Sequence, residues 1–267
     1  MKKNNALLFM TLIYPAISVS TVFLERGSQP AINLSQTCIG YLALEDAIMG
    51  SKKFKQQVDY LVSHPLVQGI ILDINSGGGL ATASWEIFET LKRVNMLKPI
   101  VSYIDETSAS GAYLAACASS KIVANPMATI GSIGVVRTIE KLHPTEFKYN
   151  GMKGTVTIHR FKKGKFKQLG SPYDPMTDED IAQLEQELDF AYQKFCTDVA
   201  LQRHISLEQV QAQESLTFTG IQALDLGLID KTGSFEDALE LLKQELMDRG
   251  HTLPANLNLK ESLIAAE

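Results

Sequence analysis

Apolar residues along this chain alternate between continuous runs and helical spacing. "CIGYLAL" (Cys38 to Leu44) and "LVQGIILDI" (Leu66 to Ile74) are nearly unbroken apolar runs, as strands buried on both faces require. Between them, Phe54, Val58, Leu61 and Val62 recur at helical spacing. "LATASWEIFETLKRVNML" places Trp85, Phe88, Leu91 and Val94 or Leu97 on one stripe and predicts a second helix. "KPIVSYID" reads as the next strand, "SGAYLAACA" as a short helix, and "SKIVAN" and "SIGVVRT" as further strands. This βαβαβα order predicts an α/β fold with a mainly parallel sheet and right-handed crossovers.

The second half is more helical. "TVTIHRF" (Thr155 to Phe161) reads as a strand, followed by a basic, glycine-bearing loop, "KKGKFKQLGSPYDP". Thr177 caps a long helix with Asp180 at the capping-box position; Ile181, Leu184, Leu188, Ala191, Tyr192, Phe195 and Val199 repeat along it. A helix of that length on a modest domain is suited to reach a partner subunit. Ser234 caps the last amphipathic helix and Gly250 stops it, which leaves residues 251–267 as a loose tail.

Before the first strand the pattern is different. "MKKNN" is basic, and "ALLFMTLIYPAISVSTVFL" (Ala6 to Leu24) carries no charge over nearly the thickness of a membrane. Residues 1–26 therefore read as a cleaved signal peptide, with small residues at Ala16, Ser18 and Ser20, or as an uncleaved anchor. A buried core helix is the plainer alternative. Either leader puts Lys2 and Lys3 on the cytoplasmic side and the rest of the chain outside. Residues 27–37, polar and breaker-rich, read as a linker.

Composition narrows the function. A net charge of -5 argues against nucleic acid as a partner, because phosphate binding needs a basic face. Cys38, Cys117 and Cys196 lack zinc-ligand spacing and are too few for a disulfide framework; the expectation is free thiols and no metal or cofactor.

Two stretches can carry chemistry. "NSGGG" (Asn75 to Gly79) follows a buried strand, where glycines let backbone N–H groups approach an anion; it is an oxyanion hole or a plain tight turn. In "TSASGAY" (Thr107 to Tyr113), Ser110 lies among small residues at the start of a helix. It is a nucleophile or simply an N-cap, and the stretch is not the G-x-S-x-G elbow. His64, His143, His159, His204 and His251 have no acidic orienter nearby in sequence. Lysine is the other base known for serine, and Lys162, Lys163, Lys165 and Lys167 are available in the basic loop, which otherwise reads as a solvated charge run.

Together these motifs resemble the signal peptide peptidase A family, also called protease IV, including SohB-type relatives. The resemblance runs from about Ile39 to about Leu242. "DINSGGG" is similar to the family's Asn-Ser-Pro-Gly-Gly loop, and "SASGAYLAACASSKIVANPMATIGSIGVV" to its Ala-Ser-Gly-Gly-Tyr and Gly-Ser-Ile-Gly-Val motifs. "KKGKFKQLGSPYDPMTDED" and "FTGIQALDLGLIDKTGSFEDAL" resemble its two later motifs. The resemblance implies a ClpP/crotonase-like fold of repeated ββα units over residues 38–250 and a Ser/Lys dyad. In that dyad Ser110 is the nucleophile and Lys167 the general base. Gly78 and Gly79, with Gly111, fall on the oxyanion hole; Ser132 and Asn75 fall on supporting positions. It also implies a ring-like homo-oligomer in which the lysine approaches a neighbour's serine, a bacterial inner-membrane location facing outward, and apolar peptide substrates. Gly77 in place of proline, Ala112 in place of glycine and Gln168 in place of aspartate depart from the pattern. Two rival readings stand beside it: a crotonase-type hydratase, and an inactive membrane-anchored ring that binds peptides or partner proteases.

Overall fold

The computed structural model describes residues 38–141, 147–149, 152–154, 159, 161–251 and 263–265. The leader, the linker, His143 and most of the strand expected over residues 155–161 lie outside the described residues. In chain order the elements are β1 (Cys38–Ile48), α1 (Lys52–Ser63), β2 (Val67–Gly79), α2 (Ala81–Leu97), β3 (Ile100–Ala109), α3 (Gly111–Ala116), β4 (Lys121–Ala124) and β5 (Thr129–Gly131). They continue with β6 (Phe147–Tyr149), β7 (Met152–Gly154), α4 (Asp178–Arg203), α5 (Leu207–Gln211), β8 (Thr217–Thr219), α6 (Gly220–Asp225), β9 (Lys231–Thr232), α7 (Phe235–Asp248) and β10 (Leu263–Ala265).

The sheet runs β10-β1-β2-β3-β4-β9, and all of these neighbours are parallel. Strand alternation sends successive side chains to opposite faces. Ile70, Leu72, Ile74, Ile100 and Ile104 face the layer that holds α1, α2, α3 and the C-terminal part of α4. Ile71, Val101, Tyr103 and Val123 face Ala238, Leu239, Leu242 and Leu246 of α7. The continuous apolar runs are thus central strands covered on both sides. The expected caps are present: Thr177 with Asp180 on α4 and Ser234 with Asp237 on α7 both form capping boxes.

The structure differs from the sequence pattern in three places. β2 does not end at Ile74; it continues through the glycines to Gly79, paired with β1, with a register shift between Glu45 and Ala47. The strand expected over "SIGVVRT" does not form: the short β5 ends just before it at Gly131, and Ser132 takes a positive φ of 53° that an extended strand cannot accommodate. The tail is not wholly loose: Leu263–Ala265 add as β10 to the open edge of β1.

Candidate active site

β3 delivers Ser110 directly to the N-terminus of α3. Ser110 is the N-cap of that helix, with φ 53° and ψ -124°. A side chain with a Cβ pays for this conformation, and such strain collects at functional sites. The geometry is a sharp strand-to-helix turn like a nucleophile elbow, built here with Ser108 and Ala112 where G-x-S-x-G has glycines. Two bonds set the turn. The Ser110 N–H donates to the Gly131 carbonyl at 2.8 Å, and the Ser110 carbonyl accepts from Leu114 N–H at 3.0 Å. Tyr113, fully buried, anchors α3 by donating to the Leu228 carbonyl at 2.7 Å.

The glycine segment presses against this turn. Gly78 has φ 89°, and a Cβ there would lie 2.7 Å from the Ala109 carbonyl, 2.7 Å from the Gly111 nitrogen and 2.9 Å from Ser110 Cβ. A Cβ on Gly111 would land on Ser84 Oγ of α2. The small residues are therefore required by contact between two backbones. Gly111 is the first helical residue of α3, so its N–H has no intrahelical partner and is free to serve an anion.

Side chains brace the segment where a proline is absent. Ser76, buried, donates to the Asp46 carbonyl across the β1–β2 register shift and accepts from Gly78 N–H at 3.2 Å. Asn75 is exposed and donates through Nδ2 to Glu106 Oε2 at 3.1 Å. Gly77 has open space around it. Ser132 follows Gly131, which is paired with Ala109, so Ser110 and Ser132 leave adjacent parallel strands side by side. Ser132 is held by its N–H bond to the Leu216 carbonyl at 2.8 Å.

Within one chain the structure brings Ser110, Gly78, Gly79, Gly111 and Ser132 together. Lys167 is exposed, in a turn where its N–H bonds the Gly164 carbonyl at 3.3 Å, and no hydrogen bond or ion pair among the described residues joins its ammonium to them. Lys165 pairs with Glu179 at 2.5 Å. The described histidines are elsewhere: His64 follows α1, His204 caps α4, His251 bonds Gln68 and His159 is exposed. Burial pushes the Cys117 thiol up to about 12, so it stays protonated and inert. Among the described residues no group of three or more His, Cys, Asp or Glu is placed to hold a metal, and no helix is long and apolar enough to cross a membrane. Ser76 shapes the glycine loop, as its place in "NSGGG" suggests, whereas nothing in the pattern of residues marks Ser84 as the wall behind Gly111. That wall depends on which helices touch.

The model of peptidase family S49 matches residues 92–248. A protein of Methanocaldococcus jannaschii named as a protease is 33% identical over 190 residues, 70% of this chain and 59% of its own. A signal peptide peptidase SppA of Enterococcus faecium is 32% identical over 198 residues, 73% of this chain and 56% of its own. The protease SohB of Haemophilus influenzae is 29% identical over 198 residues, 73% of this chain and 53% of its own. The chain thus spans little more than half the length of these relatives.

Proposed function

This chain belongs to peptidase family S49, and from that premise we propose that it is a serine-type peptidase that cleaves peptides with a Ser110/Lys167 dyad assembled between copies of the chain. The observation that carries the reading is Ser110 on a strained strand-to-helix turn, packed against Gly78 and beside the open amide of Gly111. Ser110 Oγ attacks the peptide carbonyl and forms a C–O bond. Its proton passes to the neutral amine of Lys167, which hands it to the leaving amine as the C–N bond breaks. Water, deprotonated by Lys167, then hydrolyses the acyl ester, releasing the carboxyl product and returning the proton to Ser110. The developing oxyanion is met by the Gly111 N–H and the Gly79 segment. Gly78 N–H joins them when it exchanges its bond to Ser76.

A lysine in water titrates near about 10.4, so the role calls for desolvation. Lys167 is exposed in one chain, and burial against a neighbour supplies what a single chain lacks. The N-terminal half of α4 beside it is also open, with Phe190 76% exposed, and gives such a neighbour an apolar surface. The ClpP/crotonase-like arrangement, the ring-like assembly and an outward-facing domain on the inner membrane complete the proposal. The substrates are cleaved signal peptides and other small apolar peptides. The competing reading is an inactive ring that binds peptides, and the exposure of Lys167, with no bond to Ser110 among the described residues, favours it.

A serine-directed fluorophosphonate and a casein assay test the enzyme. The wild type is expected to label and cleave, and Ser110→Ala to do neither. Lys167→Arg is expected to lose at least about 1000-fold in kcat, because arginine does not give up its proton. Wild-type turnover in Lys167→Arg removes the dyad. An assembled wild type that neither labels nor cleaves establishes the inactive ring.

A further inference from the structure

Ser108 is a buried hydroxyl that the fold leaves unpaired. It lies on β3 just before the Ser110 turn, is fully buried, and among the described residues its Oγ makes no hydrogen bond. Core serines ordinarily find partners: Ser102 and Ser119, also buried, share a bond of 2.7 Å. An orphan hydroxyl lowers stability, so one this close to a nucleophile calls for a use in another state of the site.

The neighbouring strand supplies that use. Ser108 is paired with Ser76 of β2. Residues paired across parallel strands carry their side chains on one face, with backbones about 4.8 Å apart. Rotation about χ1 between staggered wells then decides whether two such hydroxyls meet. Ser76 Oγ, itself buried, donates to the Asp46 carbonyl and accepts from Gly78 N–H at 3.2 Å, the long end of the range for such bonds. Two donors, Gly78 N–H and Ser108 O–H, therefore border one hydroxyl oxygen, and in this structure Gly78 holds it. Gly78 in turn touches the nucleophile's turn, since a Cβ on it would lie 2.9 Å from Ser110 Cβ and 2.7 Å from the Gly111 nitrogen.

We propose that Ser108 is a positioning residue: as the oxyanion forms, its hydroxyl turns to Ser76 Oγ and takes the place of Gly78 N–H, which is released to the oxyanion. The inference deepens the peptidase reading above and rests on it. No covalent bond changes. One hydrogen bond, Gly78 N–H to Ser76, is exchanged for two, Gly78 N–H to the oxyanion and Ser108 O–H to Ser76. Without Ser108, the release would strip a buried oxygen of its donor. With it, a group unpaired in the resting chain gains a partner only in the transition state, and such an interaction raises kcat rather than tightening substrate binding.

Ser108→Ala should accordingly move stability and rate in opposite directions. Removing an unpaired buried hydroxyl should raise the melting temperature by about 2–4 °C. On a fluorogenic casein peptide, kcat should fall about 5- to 30-fold while KM changes less than about twofold. A peptide aldehyde, whose adduct with Ser110 places an oxyanion in the same position, should lose affinity by a similar factor. In a Ser76→Ala background, which lacks the oxygen the two donors share, Ser108→Ala should lower the rate no further. Joint loss of stability and rate marks Ser108 as packing alone and overturns the proposal, as does an equal loss with and without Ser76. A wild type that takes no fluorophosphonate and cleaves nothing removes the peptidase reading and this inference with it. A wild type that cleaves, beside a Ser108→Ala protein of equal kcat, rejects the inference alone.

Discussion

Ser110 occupies a backbone conformation that glycine adopts more cheaply, at φ 53° and ψ -124°. Ser110→Gly should therefore be inactive yet more stable than Ser110→Ala, by about 1 kcal/mol in chemical denaturation; equal stability would show that the turn carries no strain. A second residue effect lies on β2. Asp73 is half-buried and accepts from Tyr41 Oη at 2.7 Å. Burial raises its carboxyl from 3.8 to about 6; the Tyr41 bond opposes the shift, while the carboxylates of Asp105 and Glu45 add to it. The fold thus prefers the protonated acid. That contribution is fully present below about pH 4 and is lost as pH rises through about 6. Asp73→Asn keeps an acceptor for Tyr41 without the charge. It should raise stability at pH 7 by about 1–2 kcal/mol, less than the full shift because the group is partly solvated, and the gain should vanish near pH 4. Urea titrations at both pH values check this. Ser110 could be singled out from its small neighbours, but its φ could not. That angle follows from Gly131 accepting its amide bond and Gly78 crowding its Cβ, two contacts made by strands distant in sequence.

Elements place the site by where strands stop. β1, β2, β3 and β5 are parallel and end at one edge, so Ile48, Gly79, Ala109 and Gly131 bring their successors Met49, Leu80, Ser110 and Ser132 to the same rim. α2 then packs behind α3, with Ser84 filling the space beside Gly111. Gly111→Ala should misplace the nucleophile and reduce kcat by at least about 100-fold, the scale of an error of about 1 Å in position. Adding Ser84→Gly removes the colliding atoms and should restore most of the rate. A double variant no better than Gly111→Ala would mean that the glycine serves something other than this packing. The stripes of α1, α2, α4 and α7 and the caps of α4 and α7 could be read from the chain because they are local. The extension of β2 through "NSGGG" could not: a glycine run has the local signature of a turn, and only pairing with β1 makes it a strand. β10 was hidden for the same reason, since the edge of β1 decides it.

At the scale of the whole molecule, the proposal places the Ser110/Lys167 dyad between copies of the chain. Ser110 sits at the rim of the sheet, and Lys167 is exposed on a turn with no partner among the described residues. The resemblance assigns both residues, and the proposal that they meet between copies rests on the exposure of Lys167, which no pattern within one chain reveals. A shared site has one direct consequence: two inactive proteins with different defects can complement one another. The decisive measurement is a casein assay of Ser110→Ala, Lys167→Ala and an equimolar mixture of the two after dissociation and reassembly. The account predicts that each variant alone is inactive and that the mixture recovers activity, about a quarter of the wild type if copies mix at random and each site needs one intact serine and one intact lysine from different chains. Full activity in Lys167→Ala alone would contradict it.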